Sequence, residues 1–201
     1  GRLHRQRGDS DGAKKAYRES LALRERLGEK GTAAETQVAL AELACDSSQP
    51  ALAEKLAAGA VHEFQVEQEA DNELMAETVL LRSLLQQGRL DDARKAAALG
   101  NALYEKSKDV TIRLPFALES AHAKAAVKDL AGAERLAREV ADEANKFGLV
   151  RVQFEASLAI GEIQQKGRNP AQGRVHLANW ANDARAKGLA LIARQASAAA
   201  S

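Results

Sequence analysis

The chain has 201 residues, 45% of them hydrophobic and 28% charged, which is enough apolar material to bury a core and argues against disorder. It has 43 Ala against 4 Phe, 2 Tyr, 1 Trp and 3 Pro, a balance that favours an all-α protein and disfavours a sheet-rich one. Lysine and arginine number 29 and the acids 28, so no global field draws the chain onto nucleic acid or an anionic membrane.

The first helix is predicted over 10–27, with Gly8-Asp9-Ser10 as its start and Gly28, which readily turns left-handed, as its stop. A second is predicted over 32–46 and a third over 50–67. Gln49-Pro50 opens the third with proline at the first helical position, where a missing N–H costs nothing. Ser47-Ser48 and Ser10 read as helix-start residues rather than as nucleophiles. Helices over 71–87 and 90–107 follow, and Asp91-Asp92 suits the positive end of the latter's dipole. The next helix is predicted over 111–127. Pro115 fits there if the helix starts near Thr111, because a deeper proline forfeits a hydrogen bond and clashes with the preceding turn; a kinked helix is the alternative. Helices over 130–147, 149–166, 170–187 and 189–200 complete the chain, with Asn169-Pro170 as a start and Gly148 and Gly188 as stops.

These elements repeat with a period of 40. Ala13, Ala53, Ala93, Ala133 and Gly173 share a column, and Tyr17, Ala57, Ala97, Ala137 and Leu177 follow four residues on, on the same helix face. Gly28, Gly148 and Gly188 form another column, Leu40, Leu80 and Ile160 a further one, and Phe64 aligns with Tyr104. A column through Gly1, Ala41, Leu81, Ala121, Gly161 and Ser201 marks five periods that begin and end inside a hairpin. In each pair, 10–27, 50–67, 90–107, 130–147 and 170–187 are second helices, and the others are first helices. The chain opens with Gly1 and holds its one methionine at Met75, so a piece of a longer protein is expected.

A glycine before the second helix, an alanine five residues on and a large or aromatic residue four further resembles the signature of the tetratricopeptide repeats (TPR). Gly8, Ala13, Tyr17 and Ser20 match it best. Gly88-Arg-Leu-Asp-Asp-Ala93 repeats its first part, while Ser48 and Lys128 replace the glycine elsewhere. The small column through Ala41, Ala121 and Gly161 is similar to the family's close-approach site between paired helices, and Leu81 departs from it. The period exceeds the common TPR unit of about 34 residues and falls near the roughly 40 to 47 of HEAT and armadillo units, which makes HEAT the rival. Longer TPR units resemble those of kinesin light chains and large bacterial regulators. Leu21-Ala-Leu-Arg-Glu-Arg-Leu-Gly28 resembles such regulators. Lys187-Gly-Leu-Ala-Leu-Ile-Ala-Arg194 resembles the C-terminal tails of bacterial multidomain signalling proteins with an upstream kinase or DNA-binding domain. The resemblance implies a right-handed α-α superhelix of about five hairpins. It would be a single domain over 1–201, truncated within its first hairpin and ending in a capping helix.

In such a superhelix the first helices line the concave face. One column there runs Arg2, Glu42, Arg82, His122 and Glu162, beside a second of Val38, Thr78, Leu118 and Leu158. Together, Val38, Glu42, Thr78, Arg82, Leu118, His122, Leu158 and Glu162 form the candidate partner-binding groove, apolar grip flanked by alternating charge for a helix or extended peptide. The plainer reading of each charge is solvated surface.

Catalytic and metal signatures are not expected. His4, His62, His122 and His176 are far apart, and position 66 is Val where His62-Glu63 would need a second histidine. Cys45 is the one cysteine, so it forms no internal disulfide and reads as a small helix residue rather than a nucleophile. No phosphate-binding loop or dinucleotide fingerprint appears, and no cofactor is expected. Arg2, Arg5, Arg7, Lys14, Lys15 and Arg18 are opposed by Asp9 and Asp11 and have only Tyr17 to stack a base, which places nucleic acid behind a protein partner. No run reaches the roughly 18 apolar residues of a membrane span, and the first residues lead into no signal-peptide core; a cytoplasmic location is expected. The expected function is a non-catalytic protein-interaction scaffold, the docking or sensor region of a larger bacterial signalling or regulatory protein. The alternatives are a self-association module forming a homo-oligomer, and the adaptor region of an enzyme such as a Ser/Thr kinase with its active site upstream.

Overall fold

The computed structural model describes residues 9–167 and 170–200. Gly1, Arg2, His4, Arg5, Arg7, Gly8, Asn169 and Ser201, which entered the reading above, lie outside the described residues. Within them the chain forms α-helices and no strand: α1 (Ser10–Leu27), α2 (Lys30–Asp46), α3 (Pro50–Glu67), α4 (Ala70–Gln86), α5 (Leu90–Tyr104), α6 (Val110–Ala126), α7 (Leu130–Lys146), α8 (Val150–Lys166), α9 (Pro170–Ala186) and α10 (Ala190–Ala200). Most ends fall within a residue or two of the predicted ones.

The turns explain that regularity. Gly28, Ser48, Gln68, Gly88, Lys128, Gly148 and Gly188 all have positive φ, between 55° and 74°, at steps of 20 or 40 residues. After each, the next N–H reaches back to a carbonyl of the last helical turn, as Gln49 does to Ala44 (2.8 Å) and Asp129 to Lys124 (3.0 Å). This is Schellman-type closure. The residue that closes one helix is thus followed directly by the N-cap of the next: Glu29, Gln49, Glu69, Arg89, Asp129 or Leu149.

Ser47 and Ser48 therefore do not start α3: they close α2, and Gln49 caps α3. Ser10 is the first residue of α1 and follows the N-cap Asp9, whose carboxylate accepts from the Gly12 N–H at 2.9 Å. Asp129 caps α7 in the same way through the Gly132 N–H at 3.0 Å. Side chains at Ser48 and Lys128 occupy a conformation that disfavours a Cβ by about 1–2 kcal/mol. Glycine recovers that and costs somewhat less in unfolded-chain entropy. Ser48→Gly and Lys128→Gly are each expected to gain up to about 1 kcal/mol, read as a higher denaturant midpoint; an unmoved midpoint in both would show that these turns are unstrained.

Two helix ends depart from expectation. α5 stops at Tyr104 instead of 107, because the following turn is organised around Asp109. Its carboxylate accepts from the backbone N–H (2.8 Å) and hydroxyl (2.7 Å) of Thr111 and fixes the start of α6. These hydrogen bonds hold the Asp109 carboxyl below the usual aspartate range. α6 starts at Val110 and runs on through Pro115, which stands in its second turn and has no N–H to give the Thr111 carbonyl four residues back.

The chain divides into two compact units, residues 1–116 and 117–201. In the first, α1 packs on α2, α2 on α3, α3 on α4 and α4 on α5, and α2 also meets α4. Its core gathers Val38, Ala41 and Cys45 of α2, Ala53, Ala57 and Phe64 of α3, and Ala76 and Val79 of α4. Farther along, the Phe116 ring lies against the α5 backbone at Gly100, where a Cβ would come within 2.5 Å of Cζ.

In the second unit α7 packs on α8, α8 on α9 and α9 on α10, and α8 also meets α10. Here the two small-residue columns meet each other. A Cβ on Gly173 of α9 would lie 2.7 Å from the backbone N of Gln165 and 2.8 Å from the carbonyl O of Gly161, both on α8. Trp180 stands edge-on to Phe154 with centroids 4.7 Å apart, over a cluster of Ala184, Ile192 and Ala193.

Candidate functional site

In the first unit the groove residues lie on α2 and α4, both first helices. Val38 is part of the core cluster. Thr78 is buried, with its hydroxyl donating to the Leu74 carbonyl at 2.7 Å. Glu42 and Arg82 are half-buried, and both make polar interactions within the protein.

In the second unit Leu118 is buried, Leu158 half-buried, and His122 and Glu162 half-exposed. His122 Nδ1 lies 3.2 Å from Oε2 of Glu119, a carboxylate only 2% exposed. The apolar grip expected beside the charges is thus corrected at Val38, Thr78 and Leu118. A first helix is packed by its hairpin partner and by neighbouring helices, and these side chains fill that packing. Leu158 alone of the four retains appreciable exposure.

Other polar groups fasten the repeats. In the first unit Glu54 of α3 accepts from Gln87 at 2.8 Å and from Arg89 at 2.6 Å, and Arg89 also holds Asp92 at 2.7 Å. In the second, Glu134 of α7 accepts from Gln164 at 2.9 Å and from Arg138 at 2.6 Å. Glu54 and Glu134 stand two periods apart at the same phase. Hydrogen bonds, from Gln87 and Gln164 first, hold both carboxyls below the usual glutamate range. Each ties the start of a second helix to the end of the following first helix.

Sequence reasoning missed Glu77. It is 2% exposed on α4, and its Oε2 has no hydrogen-bond partner. Burial, with a smaller push from the charge of Glu73, raises its carboxyl to about 7. The available signal was one carboxylate inside the apolar run Leu74-Met-Ala-Glu-Thr-Val-Leu-Leu81. His176 is half-buried, and burial, the largest influence, lowers its basicity while a hydrogen bond to the Ser157 backbone opposes the shift. Cys45 is a buried thiol, and His62 is exposed. Among the described residues no three His, Cys, Asp or Glu are grouped to hold a metal, and no helix is long and apolar enough to cross a membrane.

No protein-family model matches the sequence, and no curated protein matches it. Solved structures do. A crystal structure of a single-residue variant of a Podosopora anserina kinesin light chain with nearly identical TPR-like repeats has 17% identity and a TM-score of 0.61, over 92% of this chain and 92% of that one. A second crystal structure of that protein has 17% identity and a TM-score of 0.58, over 98% of this chain and 90% of that one. The fold is TPR-like. The HEAT alternative gives way to it, and the small columns meet in a close approach at Gly161 and Gly173 of the α8–α9 hairpin.

Proposed function

We propose that the chain, acting as one interaction domain over 1–201, is a protein-interaction scaffold. Its first helices would present Glu42 and Arg82 in one unit and His122, Leu158 and Glu162 in the other. The TPR-like repeat fold carries this reading. It is supported by the partial exposure of Glu42, Arg82, His122 and Glu162 at a constant phase of the repeat, while Val38, Thr78 and Leu118 of the neighbouring column anchor the helices. The recognition is therefore mainly polar, suited to a protein or peptide segment with alternating charges. The segments Leu21–Gly28 and Lys187–Arg194 support a finer assignment, the docking or sensor region of a larger bacterial signalling or regulatory protein in the cytoplasm.

Charge reversal at the face tests this. A partner recovered with the wild-type chain is expected to bind Arg82→Glu or Glu162→Arg about tenfold or more weakly, about 1.4 kcal/mol. Circular dichroism should show both variants folded. Wild-type affinity in both folded variants would remove the exposed row of each unit as a binding site.

A further inference from the structure

We propose that Glu77 is a proton-controlled latch on α4: with its carboxyl protonated the side chain stays within the packing of the first unit, and on ionising it leaves α4 held less firmly. Around it on the same helix, Leu74 and Leu81 are fully buried and Val79 is 3% exposed. Its Oε2 is enclosed without a hydrogen-bond partner. Glu73, one turn away, is fixed by the Gln65 side chain, which donates to its Oε1 at 2.9 Å.

Helices α2, α3 and α5 pack against α4. Of their charged side chains, including Glu35 and Glu42 on α2, Lys55 and Glu63 on α3, and Arg94 and Lys95 on α5, none offsets the burial of Glu77; the one charge acting on it is that of Glu73, and it acts unfavourably. A carboxylate so buried, with Oε2 unpartnered and no cation acting on it among the described residues, is far costlier than the neutral acid.

The direction of the pH effect follows. The carboxyl is raised from an ordinary value of 4.5 to about 7, so the folded chain keeps a proton that the unfolded chain releases between those values. Stability is undiminished below the interval, falls as pH rises through it, and stays diminished above it. Because α4 also carries Arg82, the latch sets how firmly that part of the proposed face is held, but its test does not depend on a partner.

Thermal unfolding of the whole chain should be followed from pH 4.5 to 8 for wild type and Glu77→Gln. The two are expected to show their smallest difference at the acid end, and the variant should gain on wild type by on the order of 5 °C at pH 8. Amide exchange along residues 74–84 at pH 8 should be slower in the variant. Parallel pH profiles would overturn the proposal. Should Glu77→Gln fail to fold, carbon-13 titration of the Glu77 carboxyl in the wild-type chain decides: a midpoint near 7 supports the latch, and one near the ordinary glutamate value overturns it.

Discussion

Gly173→Ala is expected to lower the melting temperature by roughly 4–8 °C, a loss of about 2 kcal/mol. Helix propensity alone predicts the opposite sign, since alanine is better than glycine inside a helix by about 1 kcal/mol. The added methyl, however, would meet the Gln165 backbone N at 2.7 Å and the Gly161 carbonyl at 2.8 Å. Backbone cannot rotate away as a side-chain tip does, so α8 and α9 must separate, which loosens the packing of Leu177 beside Gly161. Alanine occupies the same column at Ala13, Ala53, Ala93 and Ala133, each buried to 2% exposure or less, so a methyl there is accommodated in the other hairpins. Ala133→Gly is the control and should cost about 1 kcal/mol through propensity. Calorimetry of the two variants separates the effects: a melting temperature raised by Gly173→Ala would mean that α8 and α9 do not meet through their backbones.

The fold was legible because its markers are local and repeated. Pro50 and Pro170 stand at a first helical position, where the missing N–H costs nothing, Gly28, Gly148 and Gly188 can end a helix, and the small residues recur at one phase. The half-period was harder to see. Ser48, Gln68 and Lys128 take the left-handed conformation that glycine takes elsewhere, and nothing in a serine, glutamine or lysine announces it. The early end of α5 was hidden for a related reason: Asp109 works through hydrogen bonds from Thr111, two residues on, and Asp109 itself reads as an ordinary loop residue.

The candidate face was legible only by phase. Val38 and Leu118 read correctly as apolar positions on first helices, but a first helix in a stack is packed on several sides, and one stripe of leucine and valine looks the same whether it fills a core or lines a groove. Periodicity finds the helix face; only the neighbouring helices decide what covers it. Glu77 shows the same limit from the other side, because an acid in an apolar run is usually a solvated interruption, and its burial depends on helices packed from elsewhere in the sequence.

Gly100→Ala is expected to destabilise the first unit by about 2 kcal/mol net of the roughly 1 kcal/mol that alanine gains in a helix. Phe116 is 1% exposed, and a Cβ on Gly100 would fall 2.5 Å from its Cζ and meet the ring edge as well. The ring has little room to retreat: Tyr104 lies on it with centroids 6.1 Å apart, and the Arg113 guanidinium stands 5.6 Å over the Tyr104 ring. A clash with a side chain differs from the one at Gly173 in that it is reversible by a second substitution. Phe116→Leu alone should cost about 1–2 kcal/mol through lost packing, yet in the Gly100→Ala background it removes the atoms that collide. The double variant should therefore be more stable than the sum of the single losses predicts, by a coupling of about 1 kcal/mol or more. Denaturant midpoints of the four proteins measure that coupling. Strict additivity would show that the ring does not rest on Gly100, and that the glycine in α5 has some reason other than making room for Phe116.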